Sequence, residues 1–154
     1  MLFGYTPAMS GEDTSSPGAV ASVVVLAGGK SSRLGRDKAL LPIEGQPMLA
    51  RTVQRLAALT DDLIVVTNDP ESHGSLALPA RLVPDVEPGL GSLMGIYSGL
   101  RVARHPHALV VACDMPFLSI PLLRYMTGLA QGYDVVVPRL NGYLEPLHAV
   151  YGKG

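Results

Sequence analysis

An α/β fold with a mostly parallel sheet covered on both faces is what this sequence predicts, on three observations. Short β-branched apolar runs recur along the chain, segments of helical spacing lie between them, and glycine and proline gather at the joins. The runs show no alternation with polar residues, which is the pattern of strands buried on both sides.

Taken in order, residues 1–18 (MLFGYTPAMSGEDTSSPG) are small, polar and proline-punctuated, with no apolar period. They predict a disordered extension, with Met9 as an alternative start, ahead of a single domain over 19–154. The first strand is ASVVVLA, beginning at Ala21, and similar runs follow as DDLIVVTN (61–68), ARLVPD (80–85), HALVVACD (107–114) and YDVVVPR (133–139). A helix is expected over 47–59, where Leu49, Val53, Leu56 and Leu59 share a face and Pro47 suits the first turn. A second is expected over 91–105. A third is expected over 119–132, with Ser119 as N-cap and Gly132 as its stop. The connection 69–79 is too broken for a long helix.

Composition narrows the function classes. The 154 residues are 47% hydrophobic and 16% charged, enough for one compact core. The 17 glycines and 13 prolines exceed average usage but do not repeat periodically, which excludes collagen-like and low-complexity chains. A net charge of −1 supplies no global basic field, so neither nucleic acid nor a membrane is expected as a partner, and any anion site must be local. No apolar run approaches the roughly 20 residues of a membrane span, and the N-terminus lacks a signal-peptide pattern. A soluble, cytoplasmic protein is the expectation. The single cysteine, Cys113, can form neither an internal disulfide nor a thiolate cluster and is expected in the core.

In parallel sheets ligands bind outside the carboxyl ends of the strands. After the first run comes LAGGKSSRLGRDK (26–38), with Lys30, Arg33, Arg36 and Lys38 close together. Gly28, Gly29 and Gly35 allow a ligand close to the backbone, so amide N–H groups and cations together could cradle phosphate. A solvated basic turn is the plainer reading. The segment is not a Walker A loop, since Val24 stands where that motif needs glycine, and it lacks GxGxxG spacing.

The fourth run stops at Asp114, ahead of Pro116. A carboxylate there suits Mg²⁺ held against phosphates, although strand-ending aspartates also make turns and caps. Asn68 and Asp85 end the second and third runs. Gly91, Gly95 and Gly99 lie four apart, on one helix face, and serve either packing on the sheet or close approach by a ligand. The histidines at 73, 105, 107 and 148 are scattered, His105 and His107 reading as a surface turn, and no histidine metal site is expected.

Together, LAGGKSSRLGRDKALLPIEGQPML, VVTN, VPDVEPGLGSLMGIYSGL, VVACDMPF and LEPLHAVY resemble the molybdenum cofactor guanylyltransferases, the MobA-like branch of the nucleotidyltransferase superfamily. The likeness runs from about Val23 to Tyr151. It implies a Rossmann-like αβα sandwich of the nucleotide-diphospho-sugar transferase type. It also implies transfer of GMP from GTP to molybdopterin with Mg²⁺, making the guanine dinucleotide and releasing pyrophosphate.

Carried over by position, Leu26, Ala27, Gly28 and Gly29 would wrap the nucleotide, and Lys38 would contact its phosphates. Asn68 and Asp85 would contact GTP, with Asp85 near the guanosine, and Asp114 would bind Mg²⁺ and GTP. Arg33 would stabilise triphosphate charge, so that Arg33, Lys38 and Asp114 form the catalytic set. Molybdenum-insertion proteins and recipient molybdoenzymes are the implied partners. Cytidylyl transfer to the same cofactor, nucleotidyl transfer to a sugar phosphate, and a non-catalytic accessory module are the alternatives. The family continues with a further helix and strand where this chain stops at Gly154, so a C-terminally truncated member is expected. Ser92 replaces a proline common in the family and is expected to cap the following helix.

Overall fold

A computed structural model describes residues 21–28, 37–115 and 117–154. The expected extension at 1–18 falls outside them. The first strand is β1 (Ser22–Leu26), and after it Lys38–Leu40 forms one 3₁₀ turn. A hairpin of β2 (Pro42–Ile43) and β3 (Gln46–Pro47) leads into α1 (Met48–Leu56), which tightens to 3₁₀ geometry over Ala57–Leu59. Then come β4 (Leu63–Val66), the short helix α2 (Pro70–Gly74) and β5 (Arg81–Val83). The chain continues through α3 (Ser92–Val102), β6 (His107–Ala112) and α4 (Ile120–Leu129), closing in 3₁₀ form at Gly132. Last are β7 (Val135–Val136), the β8–β9 hairpin (Arg139–Leu140 and Tyr143–Leu144) and β10 (His148–Gly152).

The main sheet runs β5-β4-β1-β6-β10-β7. Neighbours from β5 through β6 are parallel, and β10 is antiparallel to both β6 and β7. β1 is buried throughout, and its residues divide between the two faces. Val23 and Val25 join Leu49, Val53 and Leu56 of α1 and Leu123 and Met126 of α4 in one cluster. Val24 and Leu26 join Ile96 of α3 with Ile64, Val66, Ala108 and Val110 in the other. Sheet residues turned to alternate sides, each side covered by helix, explain an apolar run without alternation. No helix of the described residues is long and apolar enough to cross a membrane.

Several local expectations change. Ser119 occupies the N-cap of α4, but its side chain makes no capping hydrogen bond. Ser92 is the first helical residue of α3 instead of its cap, because Gly91 takes the cap position at φ 82°, a value that favours glycine. Pro47 sits just before α1 instead of in its first turn. The run 133–139 yields only the two-residue β7, cut short ahead of Pro138, which has no N–H to give to a ladder. β10, a full strand beside β6, corresponds to none of the expected runs.

The glycine face of α3 is explained by close packing. A Cβ on Gly99 would lie 2.4 Å from Val24 Cγ1, so α3 rests its backbone directly on β1. One turn earlier, a Cβ on Gly95 would meet Leu26 Cδ2 at 3.1 Å and Asp85 Oδ1 at 3.6 Å. The face expected to serve either packing or approach does the first at Gly99 and reaches the strand ends at Gly95.

At the opposite end of the sheet, buried Asp62 ties three elements together. It accepts hydrogen bonds from Ser22 Oγ (2.6 Å), Arg104 N–H (2.8 Å) and the Arg81 guanidinium (2.6 Å). Burial opposes its charge, but these donors hold its carboxyl well below the usual carboxylate range.

Candidate functional site

Four parallel strands end at one edge, and two residues beyond each end stands a residue singled out from the sequence. Gly28 follows β1, Asn68 follows β4, Asp85 follows β5 and Asp114 follows β6. Backbone bonds extend the ladder by one residue past the strands: Ala27 N–H to Val66 O at 2.9 Å, Thr67 N–H to Val83 O at 2.9 Å and Cys113 N–H to Leu26 O at 3.0 Å. The four residues are therefore set by the sheet.

A cleft of about 250 Å³ opens above this edge, lined among others by Leu26, Ala27, Gly28, Lys38, Asp85 and Asp114. A neighbouring cleft of about 420 Å³ shares Ala27, Gly28, Asp37 and Asp85 with it and adds Asn68 and His73. Of the residues expected at the site, Leu26, Ala27, Gly28, Lys38, Asn68, Asp85 and Asp114 are brought together here. Gly29 and Arg33, with Lys30, Gly35 and Arg36 of the expected anion cradle and Pro116, lie outside the described residues.

Asp85 is the most constrained of the group. Its Oδ2 accepts from Asn68 Nδ2 at 2.8 Å, and its backbone N–H donates to Asn68 Oδ1 at 3.1 Å. The other carboxylate oxygen, Oδ1, is buried with no hydrogen-bond partner among the described residues. A buried acceptor left unmatched costs about 1–3 kcal/mol, and in a cleft it is a docking point for a ligand's N–H groups. The loop after Asp85 is held by Ser98, whose Oγ accepts from Val86 N–H at 2.9 Å and donates to Met94 O at 2.7 Å.

Asp114 projects from an exposed turn that α1 grips on both sides. Thr52 Oγ1 donates to Cys113 O at 3.2 Å and the Arg55 guanidinium donates to Leu118 O at 2.7 Å. Cys113 lies one residue past β6 and is buried at the cleft's base, where burial, with the Asp114 and Asp37 charges adding, pushes its thiol up to about 12. It is no nucleophile at neutral pH. No cluster of three or more His, Cys, Asp or Glu side chains able to hold a metal occurs among the described residues. Asp114 lines the first cleft as an exposed carboxylate. That donor fits Mg²⁺, which takes one or two carboxylates and completes its shell with phosphate oxygens and water.

One residue at the site was missed by the sequence reading. His73 of α2, 1% exposed, places Nδ1 2.7 Å from Thr67 Oγ1 and Nε2 2.7 Å from Asp37 Oδ2. His105 behaves as expected, on the surface with Asp61 at 2.7 Å.

The family model for the MobA-like NTP transferase domain matches residues 23–154. A protein of Pelotomaculum thermopropionicum named "Probable molybdenum cofactor guanylyltransferase" is 44% identical over 134 residues, covering 87% of this chain and 64% of that protein. Among solved structures, molybdopterin-guanine dinucleotide biosynthesis protein A from Archaeoglobus fulgidus superposes with a TM-score of 0.71 at 28% identity, covering 86% of this chain and 67% of that one. The 2-C-methyl-D-erythritol 4-phosphate cytidylyltransferase of Thermus thermophilus shares the fold, with a TM-score of 0.67 at 20% identity over 87% of this chain and 71% of that one. The chain spans 64–66% of the length of the first curated relatives it matches. Strand order, strand-end residues and these likenesses agree, and the chain belongs to the MobA-like NTP transferase family.

Proposed function

We propose that this chain binds GTP at the strand-end cleft and carries out guanylyl transfer to the terminal phosphate of molybdopterin, forming the guanine dinucleotide and releasing pyrophosphate. The observation that carries the choice of base is the buried Oδ1 of Asp85, which has no partner among the described residues. Guanine presents N1–H and its N2 amino group side by side, two donors that a carboxylate accepts together. Cytosine places the acceptor N3 beside its amino group, and a fixed carboxylate repels it. The names of the relatives support the same base.

The roles follow the geometry. Leu26, Ala27 and Gly28 give the nucleotide a backbone wall, and Asn68 aims Asp85. Lys38, exposed at the cleft's rim, meets the phosphates, and Asp114 would hold Mg²⁺. When bound, Mg²⁺ supplies charge neutralisation at the triphosphate. Gly29 and Arg33, outside the described residues, keep the roles that the resemblance gives them. An attacking phosphate is already anionic, so no general base is required. The protein's task is to hold two polyanions in line and screen their repulsion. The single buried thiol suits a reducing, cytoplasmic setting, and one sheet spanning Ser22 to Gly152 supports one domain over 19–154. Passage of the product to molybdoenzymes, with molybdenum-insertion proteins as partners, completes the proposal.

Calorimetry with Mg²⁺ tests the base. GTP binding at micromolar affinity with CTP at least about tenfold weaker is the expected result, a gap of 1.4 kcal/mol. Equal or tighter CTP binding overturns guanine and leaves cytidylyl transfer.

A further inference from the structure

We propose that His73 is a positioning residue that ties the end of the phosphate loop to the sheet, setting Lys38 against the triphosphate. The inference rests on the GTP-binding reading above and deepens it.

The tie is a continuous chain of hydrogen bonds. Thr67, one residue beyond β4 and buried, receives the Asp69 N–H on its Oγ1 at 3.0 Å. Its hydroxyl proton is then free to be donated to His73 Nδ1, 2.7 Å away, which leaves the imidazole proton on Nε2. Nε2–H donates in turn to Asp37 Oδ2 at 2.7 Å. The second oxygen of Asp37, Oδ1, accepts from Ala39 N–H at 2.9 Å and caps the 3₁₀ turn that Lys38 begins. Asp37 is the first described residue after position 36, and His73 fixes its carboxylate immediately before Lys38.

Packing alone does not call for an imidazole at this position. Burying one costs desolvation that an aliphatic side chain avoids, so what His73 adds is direction: it holds one oxygen of Asp37 in a fixed place. Each Asp37 oxygen then has a protein donor, which keeps this negative charge engaged beside a cleft proposed for phosphates. Lys38 follows on a backbone with little freedom. Losing the tie should therefore weaken contacts to the outer phosphates and spare contacts to base and ribose.

The test compares Mg²⁺-GTP with GMP by calorimetry on the full chain and its variants. His73→Leu should weaken GTP binding about tenfold or more and GMP binding less than about threefold, since a hydrogen bond to a charged group is at stake. His73→Gln, whose amide can accept from Thr67 and donate to Asp37, should recover GTP binding to within about threefold of the parent. Should His73→Leu fail to fold, His73→Phe carries the test: it fills a similar volume but offers Asp37 no donor, and it should show the same GTP-selective loss. Unchanged GTP binding in the variant that carries the test, equal loss for GTP and GMP, or no recovery in His73→Gln overturns the tie. A parent chain that prefers CTP overturns guanine alone, and the comparison then runs with CTP and CMP. A parent that binds no nucleotide overturns both readings.

Discussion

Asn68 and Asp85 hold each other reciprocally: the asparagine amide gives its N–H to the carboxylate, and the aspartate's own backbone N–H returns a bond to the amide oxygen. The pair spans the ends of β4 and β5. It immobilises Asp85 with one oxygen held by Asn68 and the other buried without a partner among the described residues, which under the proposed function sets the base-reading carboxylate before a ligand arrives.

Replacing Asp85 by Asn should change base preference more than stability. The amide presents mixed donor and acceptor character where the carboxylate offers only acceptors, so GTP affinity should fall by about 10–100-fold, or roughly 1.4–3 kcal/mol. CTP affinity should hold steady or rise. Equilibrium binding of both nucleotides checks this, and a parallel loss of both would remove Asp85 from base selection.

Two glycine-to-alanine changes in helices should act in opposite directions. Gly99→Ala forces a methyl group to 2.4 Å from Val24, between α3 and the middle of β1, and should cost about 1–3 kcal/mol. Gly128→Ala in α4 meets nothing within 4 Å among the described residues and should gain up to about 1 kcal/mol from helix propensity. Denaturant melts read both. A neutral Gly99→Ala would mean that α3 slides easily over the sheet.

Acid should loosen the end of the molecule opposite the cleft. The Asp62 carboxyl titrates well below its ordinary value of 3.8 in the folded chain, so its contribution to stability is full above the unfolded value and is lost as pH falls through the folded one. Stability should therefore decline from about pH 5 downward, and Asp62→Asn, less stable at neutral pH, should show a shallower decline. Thermal melts between pH 3 and 7 decide. An unchanged slope in the variant would assign acid sensitivity to other carboxylates.

Cys113 should resist iodoacetamide at pH 8 in the native protein and react promptly after unfolding, because burial holds its thiol near 12. Mass spectrometry follows the adduct. Rapid stoichiometric labelling of the folded chain would show that the cleft's base opens far more than its packing implies.

Much of this arrangement was legible in the sequence because it is local. β1, β4 and β6 announce themselves as unbroken apolar runs, and in a parallel sheet the next residues are bound to face the ligand side. What escaped depends on distant partners. Asp61 and Asp62 stand side by side at the head of one run, yet only Asp62 is buried, because Ser22, Arg81 and Arg104 converge on it from remote positions. His73 acquires meaning only through Asp37, 36 residues away. Ser92 and Ser119 are good caps by residue type, but Gly91 takes the cap position of α3, and Ser119 holds that of α4 without a side-chain capping bond.

The antiparallel β10 gives assembly of the sheet an order in time. β1, β4, β5 and β6 are complete in sequence before α4 begins, and they pair only with one another until β10 arrives. On a ribosome this block emerges first, with one flank of β6 open, and β7 has no place in the sheet until residues 148–152 slot between it and β6. Such long-range closure is slow relative to helix formation. Until it occurs, the nascent chain carries an unpaired apolar strand flank next to the turn that bears Asp114, and this is the interval in which it is most exposed to mispairing and chaperone capture.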